Sequence, residues 1–191
     1  MSLITLHTRR LILRPWRDAD DDAFAAMFED PPVMEFLPAA TRADIDAFIV
    51  RIKGHFAEHG FGWWAVEVPG VAPFIGYVGL SVPRFEASFM PAVEVGWRLA
   101  SAHWGKGYAT EGAKAALEAG FIRFGLGEIV SFTVPANTRS IGVMERIGMT
   151  RDPVEDFDHP RLPEGHPLRR HVLYRLGRER WQQRSTSERG A

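Results

Sequence analysis

The sequence predicts a mixed α/β domain with a mostly antiparallel central sheet flanked by helices. Two observations predict it. Short apolar runs bounded by glycine and proline read as strands, and between them lie longer segments whose apolar residues recur at helical spacing behind good capping residues. The order is strand, helix, helix, three strands, helix, strand, helix, two strands, with no internal repeat.

Leu3 to Arg14 alternates around Leu6, Leu11 and Leu13 and stops at Pro15, as a first strand would. Asp18 is placed to cap a helix running to about Glu29, with Asp20, Asp21 and Asp22 at the positive end of its dipole. Pro31 and Pro32 break that helix, and Thr41 opens a second whose Ile45, Phe48, Ile49, Ile52 and Phe56 form one stripe ending at Gly60. Phe61 to Val68 and Phe74 to Val82, joined through Pro69-Gly70, read as an antiparallel pair. Ala92 to Leu99 reads as a buried strand, Gly107 to Phe124 as a helix and Glu128 to Val134 as a strand. Asn137 caps a short helix that closes at Gly148, and Met149 to Phe157 and Arg169 to Leu176 supply the last strands. The expected domain spans residues 8–176, leaving 177–191 as a polar, frayed tail.

Composition narrows the function. With 23 Lys and Arg against 24 Asp and Glu, the net charge of −1 gives no field for non-specific nucleic-acid binding. The apolar fraction of 46% builds a core, which excludes an intrinsically disordered chain. The absence of cysteine removes disulfides, thiolate metal sites and an acyl-cysteine intermediate. No apolar run approaches the roughly 18 residues of a membrane span, and the first residues interleave His7, Arg9, Arg10 and Arg14 with apolar positions. The expectation is a cytoplasmic protein with no membrane partner and no metal; the apolar later strands leave a homodimer open.

The chemistry concentrates between Val93 and Glu111. A strand (Val93-Glu94-Val95-Gly96-Trp97-Arg98-Leu99) leads into Trp104-Gly105-Lys106-Gly107-Tyr108-Ala109-Thr110-Glu111, a glycine-rich turn that opens a helix. Such a turn aims unpaired backbone N–H groups and a positive dipole end at one point, where a pyrophosphate would sit. A Walker A loop fails because Gly107 follows Lys106 where Ser or Thr is required, and a dinucleotide fingerprint fails because Thr110 stands for its third glycine. His55-Phe56-Ala57-Glu58-His59 matches the inverted zinc-peptidase pattern, but it lies at a helix end whose apolar stripe contains Phe56; a solvated helix end is expected.

Taken with Arg10-Leu11-Ile12-Leu13-Arg14-Pro15, Asn137-Thr138-Arg139-Ser140 and Glu145-Arg146-Ile147-Gly148-Met149, this loop resembles the GNAT acetyltransferases, most closely the branch that includes the ribosomal-protein N-terminal acetyltransferases. The likeness spans about Thr8 to Leu176 and implies the GNAT acyl-CoA N-acyltransferase fold and acetyl-CoA as cosubstrate. By resemblance, Trp97, Arg98 and Leu99 pair with the pantetheine arm. Trp104, Gly105, Lys106, Gly107, Tyr108, Ala109 and Thr110 hold the diphosphate, and Asn137 and Ser140 lie near the thiol end. Trp104 departs from the Gln or Arg usual at its position.

Without a cysteine carrier, an amine must attack the thioester directly, which calls for a base and an oxyanion donor. Gly96 suggests a bulge that parts its strand from Glu128 to Val134 and frees a backbone N–H near Trp97 to Leu99. Glu94, ionisable in an apolar strand, is the candidate base, with burial expected to raise its pKa; Asp158, His159 and His171 in the long loop are alternatives through a water. Tyr108 and Tyr174 are weak candidates for the acid. The expected activity is N-acetylation of a primary amine, on a protein N-terminus or a small molecule. The reading held beside it is a non-catalytic acyl-CoA sensor or interaction module.

Overall fold

Thr8 turns the chain back on itself. Its N–H donates to the Leu11 carbonyl (3.0 Å) and its Oγ1 accepts from the Leu11 N–H (2.9 Å). The alternation that reads as one strand therefore folds as a hairpin of β1 (Leu6–His7) and β2 (Ile12–Arg14), with Leu6 opposite Leu13. The computed structural model describes residues 4–189, so the start of that expected strand lies outside the described residues. Two units cluster by their contacts: Met1–Ser81 with Gly96–Ala116, and Val82–Val95 with Leu117–Ala191.

In the first unit, β2 pairs antiparallel with β3 (Trp63–Glu67) and β3 with β4 (Gly76–Ser81), the expected pair. Helix α1 (Asp20–Ala26) is not capped by Asp18, which is held instead by Lys53 at 3.0 Å. No side chain caps α1; Asp20, its first residue, ties the helix to the segment before it, its carboxylate accepting from the Arg17 N–H (2.7 Å) and from both Nη atoms of Arg14 (2.7 and 2.8 Å). The prolines do more than break α1. After a 3-10 turn (Met27–Glu29), Pro31 and Pro32 start the single turn α2 (Pro31–Met34), where a missing N–H costs nothing. Helix α3 (Arg42–His59) begins with a capping box, Thr41 and Asp44 bonding reciprocally, and stops at Gly60 as expected. Phe24, Met27, Val33, Ile45, Ile49 and Tyr77 form the unit's core.

Strand β5 (Glu94–Leu99) is shared by the two units. Its first two residues belong to the second, where Glu94 lies opposite Val130 of β6 (Glu128–Thr133) in parallel and the Val130 N–H donates to the Val93 carbonyl at 2.9 Å. From Gly96 onward β5 belongs to the first unit, and the next residue after the strand, Ala100, donates to the Ile75 carbonyl at 2.9 Å. Helix α4 (Tyr108–Glu118) continues into a π-turn (Ala119–Arg123), so the expected helix to Phe124 is present but changes pitch.

In the second unit, β6 pairs antiparallel along its whole length with β9 (Arg170–Gly177). The expected strand from Met149 to Phe157 is interrupted. Pro153 opens a 3-10 turn capped by Asp152, leaving β7 (Thr150–Arg151) and β8 (Phe157–Asp158) on either side, each paired with β9. The pairs β1–β2, β2–β3, β3–β4, β6–β9, β7–β9 and β8–β9 are antiparallel, and β5–β6 is parallel. Helix α5 (Thr138–Arg146) is capped by Asn137. The segment expected to fray is instead helix α6 (Arg178–Arg189). Trp181 packs on Phe121 with ring centres 5.2 Å apart, and Arg178 donates twice to the Leu126 carbonyl.

Arg14 and Asp20 have side chains only 5% and 4% exposed, and Arg14 also bonds Glu67 and the Pro73 carbonyl. Replacing Asp20 with Ala takes the carboxylate from both Nη atoms of a buried guanidinium that cannot shed its charge and leaves Glu67 alone to balance it, at a cost of about 2–4 kcal/mol. Denaturant unfolding of D20A against the parent protein measures this, and a loss within the range of a surface substitution contradicts it.

Candidate active site

In the first unit the glycine-rich turn has the backbone an anion site requires. Gly105 and Gly107 have φ of +72° and +79°, the left-handed region in which L side chains are strained. A Cβ at Gly107 would also come within 3.3 Å of the Arg10 guanidinium. Gly105, Lys106 and Gly107 are exposed, Tyr108 is buried as the first residue of α4, and Ala109 and Thr110 are half-buried in its first turn. N–H groups at such a helix start have no partner within the helix, and the dipole makes their surroundings positive.

The N-terminal hairpin holds this turn. Glu111, in the first turn of α4, accepts from Thr8 Oγ1 (2.6 Å), the Arg10 N–H (2.8 Å) and Arg10 Nε (2.6 Å). Arg10 Nη1 donates to the Lys106 carbonyl at 2.8 Å, and its guanidinium lies 4.9 Å from the centre of the Tyr108 ring. Burial works to raise the Glu111 carboxyl, but the bonds from Thr8 and Arg10 outweigh it and hold it below its ordinary value. Nothing in the sequence signals this clamp, because Arg10 and Glu111 lie about a hundred residues apart in the chain.

Trp104 has a structural task. Its indole N–H donates to the Leu99 carbonyl (2.7 Å) and its ring packs against the first unit's core, so it fastens the turn to the end of β5. Trp97 and Leu99 share one face of β5 by strand alternation, while Arg98 faces the other way with Gly96 and Glu94. The Arg98 guanidinium lies among aromatic rings.

In the second unit Glu94 is half-buried by exposed surface, yet protein surrounds its carboxyl deeply enough that burial pushes it up to about 8. Opposite Val130, it shares the sheet face of Phe132. Against that face pack Phe85, Phe89 and Phe157, with His159 and His171 at 5.1 Å from each other. Burial, then His171, then Arg161 lower His159 to about 4; burial lowers His171, whose Nδ1 lies 3.1 Å from the Arg169 carbonyl. Asp158 points elsewhere, onto Arg169 and Arg170.

Asn137 and Ser140 are brought together, but as a cap: Asn137 Oδ1 accepts from the Ser140 N–H (3.2 Å) and its Nδ2 donates to Thr133 Oγ1 (3.1 Å). The Ser140 hydroxyl makes no hydrogen bond among the described residues. The Tyr174 hydroxyl is committed to Glu145 at 3.3 Å, and burial, then Glu145, raises its pKa. His55 is no solvated helix end: it is buried 6% exposed, with Nδ1 2.8 Å from the Phe61 carbonyl. Among the described residues no group of three side chains could hold a metal ion, and no helix is long and apolar enough to cross a membrane.

The raised Glu94 pKa has a thermodynamic consequence. Its folded value exceeds its unfolded one, so its contribution is fully favourable below the unfolded value of 4.5 and is lost as pH rises through about 8. Relative to the parent protein, Glu94→Gln gains stability steadily between pH 5 and 9, reaching roughly 2–4 kcal/mol. Denaturant melts across that range check it; a pH-independent difference contradicts it.

Comparison with known proteins gives the family. A family model described as an acetyltransferase (GNAT) domain matches residues 10–150. An uncharacterised N-acetyltransferase of Bacillus subtilis, YnaD, is 31% identical over 176 residues, 91% of this chain and 97% of its own. The FsC-acetyl coenzyme A-N(2)-transacetylase of Aspergillus fumigatus is 31% identical over 93% of this chain and 77% of its own. Among solved structures, a GNAT-family acetyltransferase from Bacillus anthracis superposes with a TM-score of 0.74 at 26% identity, covering 92% of this chain and 99% of its own. The ribosomal-protein-S5-alanine acetyltransferase of Vibrio fischeri, at 18% identity and a TM-score of 0.72 over 93% of this chain and 98% of its own, shares the fold. The chain belongs to the GNAT family and is an N-acetyltransferase.

Proposed function

We propose that the chain transfers an acetyl group from acetyl-CoA directly to a primary amine, with Glu94 as general base. The observation that carries this is a carboxyl raised to about 8 at the start of β5, the strand whose later residues lead into the glycine turn. The turn fits the diphosphate of acetyl-CoA: two left-handed glycines, exposed backbone and a helix start supply donors without a Cβ in the way. Gly105 to Thr110 would hold that diphosphate, the backbone of Trp97 to Leu99 the pantetheine arm, and Asn137 with Ser140 the thiol end. Trp104 contributes by fastening the turn.

Acetyl-CoA supplies the acyl group as a thioester. Glu94, as carboxylate, takes the proton that the acceptor's ammonium must lose before its nitrogen can form the new amide bond. A backbone N–H between Trp97 and Leu99 serves the oxyanion; as the intermediate collapses the C–S bond breaks, the nitrogen sheds its second proton, and the departing thiolate takes up a proton to leave as free CoA, with the Ser140 hydroxyl in the role of the polar group beside it. An α-amine with a pKa near 8 is about 10% neutral at pH 7, whereas a lysine near 10.4 is below about 0.1% neutral, so a protein N-terminus or a similarly weak small-molecule amine suits this base best. The motif resemblance to ribosomal-protein N-terminal acetyltransferases supports the first acceptor, and the Aspergillus relative's name, with its N(2)-transacetylase activity, the second.

Calorimetric titration with acetyl-CoA, followed by thiol release with N-terminal peptides and small amines, tests the reading. Binding with release from one amine class is expected, kcat/KM rising with pH to a plateau above about 8. Glu94→Gln lowers kcat by about 10²-fold or more and abolishes that pH step. Gly107→Ala, forcing a Cβ into left-handed backbone, weakens acetyl-CoA by about tenfold. Absence of any acetyl-CoA binding overturns the cradle assignment; binding without release from any amine points to a sensor.

A further inference from the structure

Arg98 sits in a position that neither the turn nor the base explains. Its guanidinium carbon lies 5.1 Å from the ring centre of Phe28, 5.7 Å from Phe48, 5.7 Å from Tyr77 and 6.0 Å from Phe24. These rings come from α1, the 3-10 turn after it, α3 and β4, all in the first unit. Its backbone is seated as firmly, because a Cβ at Gly76 would stand 2.1 Å from the Arg98 carbonyl oxygen, so β4 approaches β5 there only through a glycine.

Aromatic faces attract a guanidinium but leave its N–H edge unsatisfied. Among the described residues the Arg98 guanidinium makes no hydrogen bond and no ion pair. It cannot discharge the cost by losing its proton. A second donor is orphaned among the same rings. Trp63 stacks on Tyr77 (4.9 Å) and on Phe48 (5.5 Å), and its buried indole N–H has no partner. Native proteins rarely leave a buried donor such as the Trp63 indole N–H unpaired, and the Arg98 guanidinium, which solvent reaches but no protein acceptor meets, shares the Phe48 and Tyr77 rings with it, a setting suited to an anion from outside. Arg98, Phe28, Phe48 and Trp63 are all half-buried, so this box reaches the surface.

We propose that Arg98, boxed by Phe24, Phe28, Phe48 and Tyr77, the last two also stacked on Trp63 with its free indole N–H, is a binding subsite for a carboxylate carried by the acceptor amine. A guanidinium edge matches a carboxylate in two parallel hydrogen bonds, and the rings suit an apolar or aromatic group next to it. The acceptor is then an amine that also bears a carboxylate, rather than a polyamine, whose charge Arg98 repels. This deepens the acetyltransferase reading and rests on it for the word acceptor; the anion site itself does not.

The test uses the full chain and the indole N–H of Trp63 observed by NMR, assigned through Trp63→Phe, while phenylacetate is titrated against the uncharged 2-phenylethanol. Saturable movement of the Trp63 signal by phenylacetate, with at least about tenfold weaker response to 2-phenylethanol, is expected. Arg98→Met removes the discrimination, and Arg98→Lys, which keeps the charge and loses the paired geometry, weakens it. Equal response to both ligands, no response to phenylacetate, or unchanged discrimination in a folded Arg98→Met variant overturns the proposal. Phenylalanine and a tripeptide ending in phenylalanine, compared in the same assay, separate a free amino acid from a peptide as the carboxylate's source. Acetyl-CoA calorimetry on the same sample keeps the two readings apart: its failure removes the transferase mechanism and leaves the anion site standing.

Discussion

The arrangement around the glycine turn depends on one ion pair. A helix N-terminus attracts a diphosphate through its unpaired amides, and a carboxylate in that helix's first turn would repel the same ligand. Glu111 occupies such a position, and Arg10 cancels it: Nε of Arg10 takes one carboxylate oxygen while the Arg10 N–H and Thr8 hydroxyl take the other. The same arginine reaches the Lys106 carbonyl, turning an acceptor inward and leaving donors on the exposed side. The N-terminal hairpin is thereby part of the proposed cradle. Arg10 remains 43% exposed and Glu111 17%, so the pair is partly wet and avoids the full desolvation cost of a buried one.

Charge management differs elsewhere on the chain. Arg14 and Asp20 are sealed in the first unit and serve architecture, with each remaining edge of Arg14 satisfied by Glu67 or a carbonyl. Glu94 is the opposite case: burial raises it with no cation to offset the effect, which keeps a proton-accepting group close to neutral pH. The neighbouring histidines are held neutral by the same dryness, and the Phe85, Phe89, Phe132 and Phe157 rings that produce it are apolar. A diphosphate needs donors, a base needs a dry carboxyl, and β5 carries sequence toward both.

Where the sequence was legible, the signal was local. Thr41 announces a helix start, Asn137 announces a cap, and the glycine turn announces itself by Gly105 and Gly107. The errors arose where a distant or polar partner decides. Alternation through Thr8 looks continuous because its hydroxyl bonds the Leu11 N–H across a turn that no periodicity reveals. Asp18 has the right residue type for a cap, but Arg14 and Arg17 both find Asp20. The last helix is polar throughout yet rich in Arg, Glu and Gln, good helix formers, and one tryptophan on Phe121 anchors it. His55 reads as a surface residue until the Phe61 carbonyl is seen beside it. The setting of Arg98 could not be read at all, because its rings come from four separate stretches of chain.

The central claim is that backbone amides of the turn, freed and aimed by the Arg10–Glu111 pair, hold the diphosphate. Backbone amide shifts of the isotopically labelled protein, followed as desulfo-CoA is added, test it most directly. The account predicts saturable downfield movement of the amides between Gly105 and Thr110, with the response weakened when Arg10 is replaced by Gln, which leaves the Glu111 carboxylate uncancelled and the Lys106 carbonyl unheld. Binding of desulfo-CoA that leaves those amides unmoved would contradict it.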